Sequence, residues 1–441
     1  MAERSNIVWN IFKIPELRKR VFYTAIMLII FRLGTYIPVP GVNPVALQRL
    51  FEQTGAGLIG FLDLFAGGAL SRFTVFALGI MPYISSSIIF QLLVVVIPAL
   101  ERLSKEGEVG RKKIHQITRV GTIVIAVIQG YALTVFMKSR PDVISNPGLG
   151  FTVTAVVAIT AGCIFLMWLA EQITERGIGN GSSIIIFIGI VARMPVAFRQ
   201  VFERMKMGEL NPLVLIASFA IFIGIIAFVI MEQQGQRRIP IQHAKKVIGR
   251  KVYSAQATYL PLKINPSGVI PIIFASSVLL FPAQLAQTLG ARVGALERVA
   301  VLLSPGNAFY LTLYTLLIIF FAYFYTQIQL NPVEIADNLR KVGGYVPGIR
   351  PGQNTMTYIQ RVLNRIVLPG SIFLAIIALV PTVIQRWLNL PPEMAYLMGG
   401  TSLLIMVGVD LDTMKQIESH LLMRHYDGFM KKGGKLRGRN M

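Results

Sequence analysis

Few residues in this chain are of types that carry out chemistry, and their spacing argues against most of it. The run Gly177-Ile178-Gly179-Asn180-Gly181 has the composition of a loop whose backbone N–H groups cradle a phosphate. It follows no strand and leads into an apolar stretch, and the chain has no Walker A sequence, so nucleotide binding is disfavoured. Asn180-Gly181-Ser182 matches a glycosylation acceptor, but its expected cytoplasmic side makes the match incidental. No G-x-S-x-G sequence offers a nucleophile. His115, His243, His420 and His425 are scattered through polar segments, and no Cys or His pair has metal-ligand spacing. Cys163, the sole cysteine, has no partner for an intrachain disulfide and is expected to be a small core residue. Ion-coupled transport needs membrane-embedded Asp, Glu or His as relays. The apolar stretches hold almost none, and Glu171, Asp410 and Asp412 fall near expected helix ends. No catalytic residue, metal ligand or cofactor is expected, and the chain is not expected to be an enzyme.

The elements that would position side chains are long apolar blocks. The chain has 441 residues and is 54% hydrophobic. A hydrocarbon layer about 30 Å thick needs about 20 mostly apolar residues in helix. Spans are expected near 20–37, 75–97, 118–137, 152–171, 183–203, 212–231, 268–288, 308–328, 367–386 and 393–413. The basic N-terminus precedes a hydrophobic stretch without a small-residue cleavage site, so the stretch is expected to be a retained first span. Ten spans place both termini on one side. Lys and Arg number 31 on that side against 11 on the other, with Arg32 inside the first span. That bias puts both termini in the cytoplasm and explains much of the net charge of +22. The weak point is the fifth-span outer loop, where Arg193, Arg199, Arg204 and Lys206 make the wrong side basic.

Ten spans divide into five and five, so the second half is inverted relative to the first, an arrangement common in transport folds. A short echo agrees. Gly79-Ile80-Met81-Pro82-Tyr83-Ile84 and Gly268-Val269-Ile270-Pro271-Ile272-Ile273 share G-x-x-P-x-I, fall at equivalent positions, and run on to serines. The expected organisation is an N-terminal half at 1–205, a C-terminal half at 206–414 and a basic tail at 415–441.

Three segments are not simple spans. Residues 57–72 are apolar and rich in Gly and Ala, but too short to cross. They are either a re-entrant element inside the bundle or an amphipathic helix on the outer surface. Loops 232–267 and 329–366 are long and basic, and alternation around 251–262 suggests a hairpin. Loops of that length are usually functional, the alternative being loops that only enforce topology.

The motifs together resemble the SecY family, the central channel subunits of bacterial protein translocons. They include Phe31-Arg32-Leu33-Gly34, Ile37-Pro38-Val39-Pro40-Gly41, Gly67-Gly68-Ala69-Leu70-Ser71, Ala77 to Ser85 and Glu175-Arg176 to Gly181. Tyr259-Leu260-Pro261-Leu262-Lys263, Asn331-Pro332, Glu334-Ile335-Ala336 and Pro347-Gly348-Ile349-Arg350-Pro351-Gly352 complete the set in order. The resemblance implies an all-α polytopic membrane protein, with ten helices in two inverted halves around a central pore. It implies a ring of aliphatic side chains at Ile80, Ile84, Ile186, Ile190, Ile273 and Ile405. Two pairs there are spaced i, i+4 and share a helix face, which on its own is equally the pattern of plain core. Residues 57–72, with Gly60, Leu64, Phe65, Gly67 and Gly68, would be the plug, its composition suggesting weak anchoring. Ser85, Ser86, Ser87, Gln91 and Gln129, with Ser276 and Ser277, would line a seam opening toward lipid.

The resemblance also supplies partners. These are SecE and SecG subunits, the SecA motor ATPase, the ribosome, secretory polypeptides and membrane lipids. Docking is expected at Arg237, Arg238, Lys245, Lys246, Arg250, Lys251, Arg340, Lys341 and Arg350. Arg350 sits in a turn fixed by Pro and Gly, suiting bidentate contact with phosphate or carboxylate. The implied function is a protein-conducting channel in the cytoplasmic membrane. A solute transporter would need a mid-membrane polar site, and a membrane enzyme clustered acids or metal ligands; the spans offer little of either.

Overall fold

The computed structural model describes residues 14–43, 46–47, 60, 63, 65–138, 143–144, 146–208, 212–243, 246–248, 251–253, 257–290, 294–304, 307–388 and 400–432. The chain forms two compact units: residues 1–55, 59–195 and 405–441, and residues 56–58 and 196–404.

The first unit contains α1 (Pro15–Gly34), α2 (Met81–Val96), α3 (Pro98–Lys105), α4 (Glu108–Lys138), α5 (Leu149–Arg176) and α6 (Gly181–Val191). Pro15 opens α1 at a position where its missing N–H costs nothing. The chain bends by 99° between α2 and α3. Pro98 causes this, because its ring disfavours helical geometry in the residue before it, and Ile97 is extended at φ −98°, ψ 113°. Packing runs from α2 to α4, from α4 to α5, and from α5 to α6 and α1. Small residues allow the close approaches. A Cβ on Gly121 of α4 would lie 2.4 Å from the Phe90 ring, and one on Gly162 of α5 would lie 2.0 Å from the Val75 carbonyl oxygen. The Phe31, Phe76 and Phe165 rings stack in series at 6.2 Å and 6.1 Å between centroids. Cys163 is buried in this packing.

The second unit begins within α7 (Met194–Lys206) and continues through α8 (Pro212–Gln234) into β1 (Gln236–His243), β2 (Lys246–Ile248), β3 (Lys251–Tyr253) and β4 (Ala257–Lys263). It then holds α9 (Ile270–Gly290), α10 (Gly294–Leu302), α11 (Ala308–Gln329), α12 (Pro332–Lys341), β5 (Gly344–Tyr345) and α13 (Gln353–Leu388). The last helix, α14 (Gly400–Lys432), belongs to the second unit up to Leu404 and to the first from Ile405. Asn307 and Asn331 cap α11 and α12, each side chain accepting the N–H two residues on at 3.1 Å. Helix α9 packs on α10 and α11, while α13 packs on α8, α11 and α12.

Each of the ten expected spans overlaps a helix. Among the described residues, six stretches are long and apolar enough to cross a membrane: 108–138, 149–176, 181–206, 213–234, 308–341 and 353–380. The α2–α3 pair is a seventh if counted as one bent span. Some boundaries differ from expectation for local reasons. Residues 75–80 are successive turns, so the second span is helical only from Met81. The fifth span breaks at Ala192–Arg193. The loop expected at 329–366 is largely helical, because α12 and the first turns of α13 fill it.

The strands bear out hairpin-like pairing in the first loop and show which strands pair. β4 pairs antiparallel with β1, from Gln236↔Lys263 to Gln242↔Ala257, while β3 pairs with β2. The alternation around 251–262 therefore belongs to two strands with different partners. β5 adds to the other edge of β1 through Gln242↔Tyr345 and His243↔Gly344, so both long loops share one sheet.

The Gly162 contact is testable. Gly162→Val forces a side chain into the Val75 backbone and should destabilise the protein by about 1–3 kcal/mol, the usual range for overpacking. Gly150→Ala, where nothing lies within 4 Å, should not. Thermal unfolding of the two variants in detergent should separate them.

Candidate functional site

In the first unit Ile80, Ile84, Ile186, Ile190 and Ile405 are all buried. Ile80 and Ile84 are joined through one turn, the Ile84 N–H donating to the Ile80 carbonyl at 3.2 Å. Ile186 and Ile190 lie on α6. Ile273, in the second unit, is partly exposed and opens α9 with its N–H on the Val269 carbonyl at 3.3 Å.

The segment expected at 57–72 is described at Gly60, Asp63 and 65–72; Leu64 lies outside the described residues. Gly67 and Gly68 have φ of +66° and +86°, a region side-chain-bearing residues avoid. Their backbone rests directly on α6. A Cβ on Gly67 would lie 3.1 Å from the Gly189 Cα, and one on Gly189 would lie 3.1 Å from the Phe65 carbonyl oxygen. Phe65, Ala69 and Leu70 are buried.

The segment is not weakly anchored, as its composition suggested. Asp63 is fully buried and its carboxylate pairs with the Arg193 guanidinium. Its other oxygen accepts the Ser71 N–H at 2.9 Å, and its carbonyl accepts the Gly68 N–H at 3.0 Å. Arg32 donates to the Gly67 carbonyl at 2.9 Å and to the Tyr36 hydroxyl at 3.1 Å. Arg72 lies over the Tyr36 ring at 4.1 Å. Sequence reasoning noticed Arg32 and Arg193 only as exceptions to the charge pattern and passed over Asp63.

The glycine run at 177–181 is a tight α5–α6 connection whose N–H groups are already taken. The Ile178 N–H donates to Thr24 Oγ1 at 3.1 Å, the Gly179 N–H to the Gln416 side-chain oxygen, and the Gly181 N–H to Thr174 Oγ1 at 2.9 Å. Asn180 caps α6 through the Ser183 N–H at 3.2 Å. This arrangement stitches α5, α6, α1 and α14 together and leaves no cradle for a phosphate.

Of the expected seam residues, Ser86 is buried and donates to the Thr118 carbonyl at 2.8 Å, joining α2 to α4. Ser85 and Ser87 are partly exposed, and Gln91 donates to Ser87 at 3.2 Å within its own helix. Gln129 is buried but lies about 16 Å farther along α4 than Thr118. Ser86 and Gly121 thus mark one close contact between the two helices. In the second unit Ser276 bonds back to the Ile273 carbonyl at 2.9 Å, and Ser277 is buried with no hydrogen-bond partner.

The basic loop residues gather around the three-stranded sheet. Ile239, Leu262, Val346, Ile359 and Leu363 form a buried cluster under it, drawn from both loops. Val346-Pro347-Gly348-Ile349 makes a turn with Gly348 at φ +79° and the Ile349 N–H on the Val346 carbonyl at 3.1 Å. That is a type II turn, with Pro and Gly where the geometry needs them. Arg350 follows it exposed, its carbonyl held by Thr355 Oγ1 at 3.0 Å. Arg237, Arg238, Arg340 and Lys341 are also exposed. Lys245 and Arg250 lie outside the described residues, and only the backbone of Lys246 and Lys251 is described.

The SecY family model matches residues 74–414. A protein from Aquifex aeolicus named Protein translocase subunit SecY is 44% identical over 428 residues, covering 96% of this chain and 98% of that protein. The chain belongs to the SecY family. Its fold is shared with solved channels at lower identity. A SecY structure in which the plug domain stabilises the closed state of the translocation channel and maintains a membrane seal aligns with TM-score 0.66 at 18% identity, covering 93% of this chain and 96% of that one. The canine Sec61 of a ribosome–channel complex aligns with TM-score 0.62 at 17% identity over the same shares. This SecY-family chain is thus a predominantly helical, multi-spanning membrane protein.

The turn before Arg350 gives a local test. Gly348→Val places a branched side chain at φ +79° and costs about 1–2 kcal/mol. Hydrogen exchange over 346–356 should quicken by about tenfold, with exchange in α4 and α5 unchanged.

Proposed function

We propose that this SecY-family chain is the protein-conducting channel of the cytoplasmic membrane, with both termini in the cytoplasm. It passes unfolded secretory polypeptides across and releases apolar segments sideways into lipid. The observation that carries the reading is the near full-length match to a relative named as a translocase subunit. The solute-transporter reading lacks an acidic relay in the spans.

The residue roles follow the family resemblance, and chemistry accords with them. A ring of branched aliphatic side chains at Ile80, Ile84, Ile186, Ile190, Ile273 and Ile405 excludes water and so blocks ions without a charged filter. Such side chains also yield around a polypeptide of any sequence. Residues 57–72 act as the plug, by analogy with the plug domain of the related SecY structure. Ser85, Ser86, Ser87, Gln91, Gln129, Ser276 and Ser277 belong to the lateral seam. Single polar contacts between membrane helices contribute only about 1 kcal/mol, so such a seam can open. The N-terminal half is 1–205, the C-terminal half 206–414 and the tail 415–441.

Transport is driven from outside the chain, by the SecA motor ATPase or the ribosome, and SecE and SecG complete the channel. The exposed Arg237, Arg238, Arg340, Lys341 and Arg350 suit ribosomal RNA phosphates or carboxylates of the motor. The canine relative's ribosome complex supports this docking.

The deciding experiment reconstitutes the chain with its small partner subunits into liposomes. A signal-bearing precursor is added with the motor ATPase and ATP, and its protection from protease is scored. Protected precursor supports the channel; none, with a folded complex, sinks it. Arg350→Glu should cut protection at least about tenfold while stability changes by less than about 0.5 kcal/mol, as for an exposed site. Ile84→Ser with Ile190→Ser should raise resting ion conductance about tenfold, equivalent to about 1.4 kcal/mol less preference for the closed state.

A further inference from the structure

We infer that the Asp63–Arg193 ion pair, with Arg32 donating to the Gly67 carbonyl, forms a latch that holds residues 65–72 against α6 and keeps the channel closed at rest. The inference rests on the channel reading above and assigns three positioning residues to it.

Asp63 is the centre of the latch. A carboxylate with no solvent exposure persists only if its lone pairs are taken. Here one oxygen meets the Arg193 guanidinium and the other accepts the Ser71 N–H at 2.9 Å. The same residue closes its own turn, its carbonyl accepting the Gly68 N–H at 3.0 Å. Asp63 therefore both shapes the segment and ties it to a different element. Arg193 sits just past the end of α6, where the helix breaks, with its N–H on the Ile190 carbonyl at 3.1 Å. Its side chain lies along Gly68: a Cβ there would be 3.6 Å from both Cδ and Nη1. Arg32 grips the segment from α1 through the Gly67 carbonyl at 2.9 Å.

Between these charges the contact is backbone on backbone. Gly67 and Gly189 bring no side chains to it, so it contributes little apolar area of its own. Phe65, Ala69 and Leu70 set where the segment lies, and the ion pair makes its departure all-or-none. Leaving separates a buried carboxylate from its cation, and the carboxylate needs water at once. The Arg193 side chain retains 24% exposure, so water has a route to the pair. Attraction between charges falls steeply as the local dielectric rises. The latch is therefore strongest while the Asp63 carboxylate stays unexposed and weakens once a hydrated polypeptide wets it. This also explains why a basic residue sits in a span at Arg32 and another on the basic-poor side at Arg193.

The test measures resting conductance in planar bilayers and precursor protection in liposomes on the same assembled complexes. Asp63→Asn keeps an acceptor for the Ser71 N–H and removes the charge. Arg193→Gln removes the opposite charge, and Arg193→Lys keeps it. Asp63→Asn and Arg193→Gln should each raise resting conductance at least about tenfold while transport persists. Arg193→Lys should stay within about twofold of the unaltered protein. The double variant should leak no more than the leakier single one, because both lose the same pair. A merely structural role would reduce assembly and transport together and would not be rescued by lysine. Unaltered resting conductance in Arg193→Gln, in complexes that transport, overturns the latch even if Asp63→Asn fails to assemble. Failure of the unaltered protein to protect any precursor overturns the channel reading instead.

Discussion

In hydrocarbon a backbone N–H or C=O without a partner costs several kcal/mol, and the rest of this structure follows from meeting that demand. Helices meet it internally along their length. The difficulty is at breaks, and there the chain supplies side chains instead of water. At the α5–α6 connection Thr24, Thr174 and Gln416 take up N–H groups that no helix can satisfy. Between residues 66 and 80 the backbone folds as linked turns around a bridge at Thr74, and the Val39 and Val75 N–H groups donate to the Phe73 and Ile37 carbonyls at 3.0 Å and 3.1 Å. Gly67, Gly68 and Gly79 adopt positive φ where those turns require it. Irregular backbone beside membrane-length helices is thus bonded across turns and to neighbouring segments.

The same demand governs side-chain charges. Arg119 and Glu171 join α4 to α5 through two parallel bonds at 2.8 Å and 2.7 Å. That fork geometry fixes both direction and distance, which a lysine could not do. Arg199 and Glu203 pair one turn apart, so of the four basic residues at 193–206 two have acidic partners nearby. Two of the basic residues that weaken the topology count when read along the chain are thus, in three dimensions, paired with acids.

How much of this the sequence carried divides cleanly by distance along the chain. Spans are local, since 20 apolar residues declare a helix by themselves, and each expected span overlaps one. The caps at Asn180, Asn307 and Asn331 are equally local. Asp63 and Arg193 are 130 positions apart, and Arg119 and Glu171 are 52 apart. No periodicity reports such pairs, so Gly-rich composition suggested a loosely held segment where partners elsewhere hold it firmly. Strand pairing shows the same limit: alternation around 251–262 identifies strands but not their mates, which are β2 for β3 and β1 for β4.

Joining the two long loops in one sheet has a consequence for binding. β5 comes from the second loop and pairs with β1 of the first, and the cluster beneath mixes Ile239 and Leu262 with Val346, Ile359 and Leu363. Were the loops independent, each would lose its own freedom on meeting a partner, at about 0.5–1.5 kcal/mol per immobilised long side chain besides the backbone term. Co-folding settles the backbone part beforehand. The type II turn at 346–349 then presents Arg350 from a frame anchored by Val346 and Ile349, both packed on that cluster. Arg237, Arg238 and Arg350 are thereby carried by one co-folded module rather than by two separate tethers. Two loops that fold together thus have less freedom left to lose on meeting any partner than two loops that fold apart.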